Sequence, residues 1–198
     1  IYTKVFLFVM NKIYSMTVVE LTSAAVDFIK QNYPKRYKKS LEFKDENGAD
    51  LCLCVGVLFD NAGIKEDEIF YTENGKPYLK DGRFLSVSHS GKYCVLAVFD
   101  IPVGVDIEKV GRVTKSVSSR FFTENEQAWA GDDEVRLTVL WTLKEALSKI
   151  TGDGVKMLYD GIDVLPLTRG KSIILDGKKI TAELQFLGDY VLAIIKSY

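Results

Sequence analysis

The sequence is short of the features that most quickly narrow a function. It has three cysteines, Cys52, Cys54 and Cys94, an odd number whose spacing fits no zinc site. They lie among apolar residues, so we expect buried, reduced thiols and a cytoplasmic protein. The formal net charge is −1, which argues against a general attraction to nucleic acid or to an anionic membrane. No apolar run approaches the ~20 residues of a membrane span.

The composition is that of an ordinary globular chain. The 198 residues are 47% hydrophobic and 27% charged, which suits one domain or two small lobes. The run "VFLFVM" near the start is too short for a membrane span and lacks a small-residue cleavage site. We therefore predict a strand at residues 2–9 and no signal peptide.

Each half of the sequence contains strand-like runs and one long helical segment, and these follow in the same order in both halves. The apolar segment 49–64 predicts a buried helix, and three strand-like runs between 83 and 110 predict an antiparallel meander. A second helix is predicted at 133–150, with a core face of Val135, Val139, Leu143, Leu147 and Ile150. The outer side would carry Thr138, Trp141, Thr142, Glu145, Ser148 and Lys149. We predict an α+β fold of two similar lobes, residues 1–103 and 104–198, each a small antiparallel sheet packed on a long helix.

The stretch "VGVDIEKV", residues 103–110, places two carboxylates in an apolar strand. Alternate residues of a strand share a face, so Asp106 and Glu108 point the same way, with Cα atoms about 6.6 Å apart. Two like charges on one face of an inner strand cost free energy unless a cation lies between them. The pair therefore suits one hard cation, and a solvent-exposed strand face is the alternative.

A second constellation lies in "WTLKEALSKI" on the predicted second helix. Glu145 and Lys149 are four residues apart and share a helix face with Trp141. A surface ion pair, which contributes little to stability, is the ordinary interpretation. The large aromatic side chain indicates instead that this face is covered. "FFTENE" just upstream contains Thr123 and Glu126 at the spacing of a helix capping box.

Several residues of the first half could bind an anion. Ser88 and His89, the only histidine, stand at a strand end in "SVSHSG", where a satisfied turn histidine is the alternative. Neither an acid partner nor a cysteine nucleophile is adjacent, so a hydrolase triad is not favoured. Lys76 in "NGKPYL" would be held on a rigid turn. Arg36 and Lys39 belong to a basic run that could equally be a solvated helix end.

Taken together, these motifs resemble one family. "GVDIEKV", "FFTENE" and "WTLKEALSK", in that order, look like the signature of 4′-phosphopantetheinyl transferases. "NGKPYL" and "SVSHSG" resemble elements of the larger, surfactin-synthetase-activating type, and the match spans roughly residues 33 to 154. The resemblance implies a monomer with a pseudo-twofold, two-lobed fold that binds coenzyme A between its lobes.

The resemblance also implies the reaction and its residues. The 4′-phosphopantetheine arm of coenzyme A passes to a serine of an acyl or peptidyl carrier protein, with Mg²⁺, and adenosine 3′,5′-bisphosphate leaves. Asp106, Glu108 and Glu145 would bind the metal ion. Lys149 would contact the phosphates together with Asp106, and Glu126 would take or relay the serine proton. Lys149 and Glu145 thus join Glu126 as the implied catalytic residues.

Coenzyme A would be bound at its nucleotide end by residues of the first half. By resemblance, Lys76, Ser88 and His89 would hold the 3′-phosphate, and Arg36 and Lys39 would line the nucleotide end. One departure is Asp50, where many relatives carry a basic residue.

The alternatives are the short, trimeric holo-acyl-carrier-protein synthase of the same superfamily, and an inactive module that binds coenzyme A or a carrier protein. A phosphate-binding scaffold of unrelated fold is a third. No nucleic acid or membrane partner is expected.

Overall fold

The structure, a computed structural model, describes residues 13–73, 75–151 and 161–198. It divides into two compact units, Ile1–Asp100 and Ile101–Tyr198. Each unit contains one antiparallel sheet and one long helix, which confirms the predicted α+β class. The strand predicted at residues 2–9 lies outside the described residues. No helix in the described part of the chain is long and apolar enough to cross a membrane.

The first unit is a five-stranded sheet with three helices. Its elements are β1 (Ile13–Thr17), α1 (Ser23–Asn32), α2 (Pro34–Ser40), α3 (Glu46–Asn61), β2 (Ile69–Tyr71), β3 (Pro77–Leu79), β4 (Phe84–Ser90) and β5 (Tyr93–Phe99). The strands are antiparallel in the order β1-β5-β4-β3-β2. A single 3₁₀ turn, Glu66–Glu68, lies between α3 and β2.

The long helix of the first unit, α3, forms because its apolar residues are bounded by a capping residue. Asp45 accepts a hydrogen bond from the N–H of Gly48 (2.8 Å), so the helix begins three residues before the predicted segment. Every residue from Leu51 to Phe59 is buried. Cys52 and Cys54 are among them, and with Cys94 of β5 they are free, buried thiols, as predicted.

The second unit is a four-stranded sheet with a second long helix. Its elements are β6 (Val103–Lys109), α4 (Lys115–Phe121), α5 (Glu124–Ala130), α6 (Glu134–Thr151), β7 (Ile173–Leu175), β8 (Lys178–Leu187) and β9 (Tyr190–Ser197). The strands are antiparallel in the order β6-β9-β8-β7. The strand β6 is the one that carries the paired carboxylates.

The predicted division of α6 into a core face and an outer side is wrong at several positions, and Ser148, predicted on the outer side, is buried. Val135 is 43% exposed, whereas Thr138 and Thr142, predicted on the outer side, are fully buried. Each threonine hydroxyl donates to a carbonyl oxygen of its own helix, Thr138 to that of Glu134 and Thr142 to that of Thr138 (both 2.7 Å). Because the hydroxyls are satisfied within the helix, these side chains pack as apolar ones do.

The backbone of α6 lies directly against β6 at Gly104. A Cβ atom built on Gly104 would be 1.9 Å from the carbonyl oxygen of Ala146 and 3.1 Å from a side-chain carbon of Ile150. Only glycine permits so close an approach. Since Gly104 shares its strand face with Asp106 and Glu108, both acids lie on the side of β6 that faces α6.

We expect Gly104→Ala to destabilise the protein, because α6 must move away from β6 to make room for the methyl group. The free energy of unfolding, measured by urea denaturation, should fall by about 3 kcal/mol. Gly56→Ala in α3 is the matched control, since its Cβ would meet only side-chain atoms of Ile29 and Arg36 (nearest 2.9 Å). The gain of alanine over glycine in a helix, about 1 kcal/mol, should offset that contact. Equal losses in both variants would contradict the close helix–strand contact.

Candidate functional site

Lys149 of α6 reaches across to β6 and binds Asp106. Its ammonium group donates to Oδ1 of Asp106 (2.8 Å) and to the carbonyl oxygen of Val105 (2.9 Å). The Asp106 side chain is 6% exposed and that of Lys149 is 28% exposed. A pair held this far from solvent, with a second hydrogen bond on the lysine, is not the surface ion pair of the ordinary interpretation.

Glu145 lies one helical turn before Lys149 and interacts electrostatically with both carboxylates of β6. Burial raises the pKa of Glu145 above its usual value, and the negative charge of Asp106 raises it further. The charge of Lys149 lowers this pKa, and Glu108 adds a smaller increase. The strand and the helix therefore bring three carboxylates and one ammonium group into a shared electrostatic environment, as the sequence predicts for these four residues.

The three carboxylates suit a divalent cation by charge and donor type, since Mg²⁺ prefers carboxylate and water oxygens. Within residues 13–73, 75–151 and 161–198, no three His, Cys, Asp or Glu side chains are arranged as a metal-binding cluster. The positive charge beside Asp106 is instead the ammonium group of Lys149. Metal ligation by Asp106, Glu108 and Glu145 therefore stays a prediction.

One stripe of residues along α6 is partly exposed to solvent, whereas the rest of the middle of the helix is buried. Trp141, Glu145 and Lys149 are half-buried, and the other residues from 137 to 148 are buried. The ring of Trp141 packs on Phe121 of α4, with ring centroids 5.4 Å apart. The aromatic side chain thus covers one end of the stripe, as its position in the sequence indicates.

Glu126 is fully buried, and its carboxylate is occupied on both oxygens. The predicted capping box is confirmed: the N–H of Thr123 donates to Oε2 (2.8 Å) and the N–H of Glu126 donates to the Thr123 hydroxyl (3.2 Å). The N–H of Val164 donates to Oε1 (2.8 Å), and Lys144 of α6 forms an ion pair with Oε2 (2.9 Å). A catalytic role for Glu126 stays a prediction, and here the carboxylate serves the fold.

Lys144 completes this buried network on the side of α6 away from Lys149. It is 3% exposed, and its ammonium group also donates to the carbonyl oxygen of Ile162 (2.7 Å). Glu126 and Lys144 thereby join α5, α6 and the segment that precedes residue 165. The sequence reveals the capping box but not these contacts, because Lys144 and Val164 are 18 and 38 residues from Glu126 along the chain.

The predicted phosphate ligands of the first unit lie on β4 and next to β3. Ser88 is buried and His89 is exposed, and as neighbours on a strand they point to opposite faces of the sheet. Lys76 is half-buried, and a turn positions its backbone: its N–H donates to the Thr72 hydroxyl (3.1 Å) and its carbonyl accepts from the N–H of Thr72 (2.9 Å). Asn74 in that turn lies outside the described residues.

Arg36 and Lys39 line a cavity of about 300 Å³ in the first unit, together with Phe59, Tyr71 and the acidic Glu66. The guanidinium carbon of Arg36 is 5.3 Å from the centroid of the Phe59 ring, and its Nη2 donates to the hydroxyl of Tyr71 (3.0 Å). The cavity thus combines positive charge with aromatic walls. The sequence indicates the basic residues but not the two aromatic ones, which come from α3 and β2.

Comparison with known proteins bears on the β6–α6 arrangement. A family model described as the 4′-phosphopantetheinyl transferase superfamily matches residues 102–195, which include β6, α6 and nearly all of β9. This segment, just under half of the chain, is similar to the 4′-phosphopantetheinyl transferase superfamily. The match includes Asp106, Glu108, Glu126, Glu145 and Lys149, and the family resemblance of the sequence is confirmed.

The relatives that the chain matches are of the Sfp type. It is 32% identical over 105 residues to the 4′-phosphopantetheinyl transferase gsp of Aneurinibacillus migulanus, covering 50% of this chain and 44% of that protein. It is 39% identical over 98 residues to psf-1 of Bacillus pumilus, covering 46% and 42%. It is 32% identical over 108 residues to Sfp of Bacillus subtilis (strain 168), covering 50% and 48%. The matched part therefore spans less than half the length of these relatives.

We expect Glu126→Ala to act first on stability, because it leaves the ammonium group of Lys144 buried without its counter-charge. The free energy of unfolding should fall by about 3–5 kcal/mol. Glu124→Ala is the matched control, since Glu124 is exposed in the same first turn of α5, and it should change this free energy by less than about 0.5 kcal/mol. If Glu126→Ala instead retains its stability and loses only enzymatic activity, the carboxylate acts in the chemistry rather than in the fold.

Proposed function

We propose that this protein transfers the 4′-phosphopantetheine arm of coenzyme A to a serine of an acyl or peptidyl carrier protein. The observation that carries the proposal is the pairing of Lys149 with Asp106, beside Glu108 and Glu145, on the facing strand and helix of the second unit. The match of residues 102–195 to the superfamily model supports it, since the matched segment holds these four residues. The names of the Sfp-type relatives support the same reaction.

In this reaction, the serine oxygen forms a bond to the β-phosphorus of coenzyme A. The bond from that phosphorus to the bridging oxygen breaks, adenosine 3′,5′-bisphosphate leaves, and the serine proton passes to a base or to water. Negative charge is spread over the phosphate oxygens throughout, so catalysis consists mainly of positioning and charge stabilisation. Lys149 is the residue whose ammonium group would contact those oxygens.

The metal ion of the proposal is Mg²⁺, which would be bound by Asp106, Glu108 and Glu145. When bound, it would neutralise part of the pyrophosphate charge. Asp106 is fixed by β6, while Glu145 is carried on α6, so the two elements would hold their ligands from two sides. The raised pKa of Glu145 fits this role, because a cation would relieve the repulsion that this carboxylate experiences.

Glu126 remains our candidate for the group that takes or relays the serine proton. A base must reach the hydroxyl directly or through one water molecule. The contacts of its carboxylate with Lys144 and Val164 would have to open first. Transfer of the proton to bulk water is the alternative in which Glu126 acts only through the fold.

The nucleotide end of coenzyme A would bind to the first unit. Lys76 and His89 are the proposed side-chain ligands of the 3′-phosphate, with Ser88 proposed beside them through its backbone, because its side chain points to the opposite face of the sheet. Arg36 and Lys39 are the proposed contacts at the basic and aromatic cavity. Aromatic walls and a guanidinium group suit a planar base as well as a phosphate. We further propose that the protein acts as a monomer in the cytoplasm, where its buried thiols would stay reduced.

The proposal is tested by incubating the protein with coenzyme A, Mg²⁺ and a panel of apo-carrier proteins, followed by intact mass spectrometry. A carrier that is modified gains the mass of one phosphopantetheine. A module that only binds coenzyme A would leave every carrier unchanged, and that result would refute the transfer activity.

In the same assay, Asp106→Asn should lower the transfer rate by on the order of a hundredfold, because the site loses a buried charge that opposes Lys149. Asp132→Asn is the matched control, since Asp132 is exposed and forms an ion pair with the equally exposed Lys115 (2.8 Å). A rate near that of the wild type for Asp106→Asn at saturating Mg²⁺ would remove Asp106 from the site.

We expect His89→Ala to weaken the use of coenzyme A more than that of 3′-dephospho-coenzyme A. A phosphate beside His89 would favour the charged imidazolium, and a charge-assisted hydrogen bond contributes about 1.5–3 kcal/mol. The half-saturating concentration of coenzyme A should therefore rise at least about tenfold. The dephospho substrate is the internal control, and equal effects on both substrates would remove His89 from the 3′-phosphate.

A further inference from the structure

The helix α2, which carries Arg36 and Lys39, receives its N-terminal cap from a distant residue. Its N-cap residue, Tyr33, makes no side-chain capping bond. The carboxylate of Glu66 instead accepts from the N–H of Lys35 (3.1 Å, at Oε2) and from the N–H of Arg36 (2.8 Å, at Oε1). One acid thus satisfies two amide groups that a helix otherwise leaves unbonded, and its charge opposes the positive end of the helix dipole.

The segment that supplies this cap, residues 64–71, holds the start of α2 at two further points. The hydroxyl of Tyr33 donates to the carbonyl oxygen of Ile64 (2.8 Å) within the core. The side chain of Arg36 donates to the hydroxyl of Tyr71 (3.0 Å). The backbone and the side chain of Arg36 are therefore both fixed by the same segment of chain.

We propose that Glu66 is a positioning residue for coenzyme A: by capping α2 it holds Arg36 and Lys39 at the wall of the 300 Å³ cavity. This inference rests on the proposed function. Lys39 follows Arg36 by three residues, close to one helical turn, so a shift of the helix start displaces both basic side chains together. Glu66 also lines this cavity, where its negative charge would oppose a phosphate, so its proposed contribution to affinity is made through α2.

The expected consequence is a selective loss of affinity. Removal of a capping carboxylate costs a helix about 1 kcal/mol and up to ~2, which corresponds to roughly a tenfold change in an equilibrium constant. Glu66→Ala should therefore raise the dissociation constant of coenzyme A, measured by calorimetry without carrier protein, about tenfold. Glu66→Gln keeps one acceptor oxygen for an amide of α2 and should show a smaller rise.

Steady-state kinetics distinguishes a loss of coenzyme A positioning from a general loss of enzyme structure. At saturating coenzyme A, the turnover number of Glu66→Ala should stay within about twofold of the wild type, because the reacting groups of the second unit are untouched. The half-saturating concentration of the carrier protein should also be unchanged. A fall in turnover that accompanies the loss of affinity would overturn a positioning role.

The same 3₁₀ turn offers a matched control in Glu68. Its carboxylate accepts from the N–H of Lys65 (2.7 Å), so it stabilises the turn itself, and no hydrogen bond to α2 is seen for it. Glu68→Ala should leave the dissociation constant of coenzyme A within about twofold of the wild type. Equal losses of affinity in Glu66→Ala and Glu68→Ala would show that the turn matters and the cap does not, and would overturn the proposal.

A double-mutant cycle tests whether Glu66 works through Arg36. If it does, Glu66→Ala should weaken the binding of coenzyme A much less in an Arg36→Ala background than in the wild type. Fully additive effects would contradict the inference. A wild-type protein that binds no coenzyme A would refute the proposed function as well, whereas a Glu66→Ala variant that binds it as tightly as the wild type refutes only the role of Glu66.

Discussion

The contact between the backbones of α6 and β6 is the constraint on which the candidate site depends. Gly104 lacks a side chain, so the carbonyl oxygen of Ala146 comes close enough to exclude even a methyl group. At that distance Lys149, one turn further along the helix, reaches both Asp106 and the strand backbone. The same close contact between helix and strand places Glu145 near the charged side chains of β6. A side chain at position 104 would separate every one of these pairs.

A second pattern is the use of buried or partly buried carboxylates to fix the starts of helices. Glu66 binds two amide groups of α2 from 30 residues away, and Glu126 closes the capping box of α5 while it binds Val164 and Lys144. Such bonds depend on orientation, so they add a directional constraint to that of the close-packed core. Both acids therefore fix the position of a helix more narrowly than the hydrophobic core alone does.

The sequence predicts those parts of the site that local spacing determines. The alternation of β6 predicts that Asp106 and Glu108 share a face, and the helical period predicts the stripe that holds Glu145 and Lys149. It does not predict contacts between residues distant in the chain, such as the bonds of Glu126 to Lys144 and Val164, because periodicity carries no information about them. It also misjudges Thr138 and Thr142, whose hydroxyls bond within the helix and so need no solvent.

The bond between Lys149 and Asp106 also gives the acidic face its own internal counterion. Many small metal-binding domains fold only with their metal, because the free energy of metal binding supplies that of folding. In this protein Lys149 offsets the charge of one of the three carboxylates without a metal ion. Under the proposed function, a cation bound by Asp106 would compete with Lys149 for its carboxylate, and the ammonium group would be available to a substrate phosphate. The same lysine would thus stabilise the contact between α6 and β6 before the substrate binds and contact the substrate phosphate afterwards.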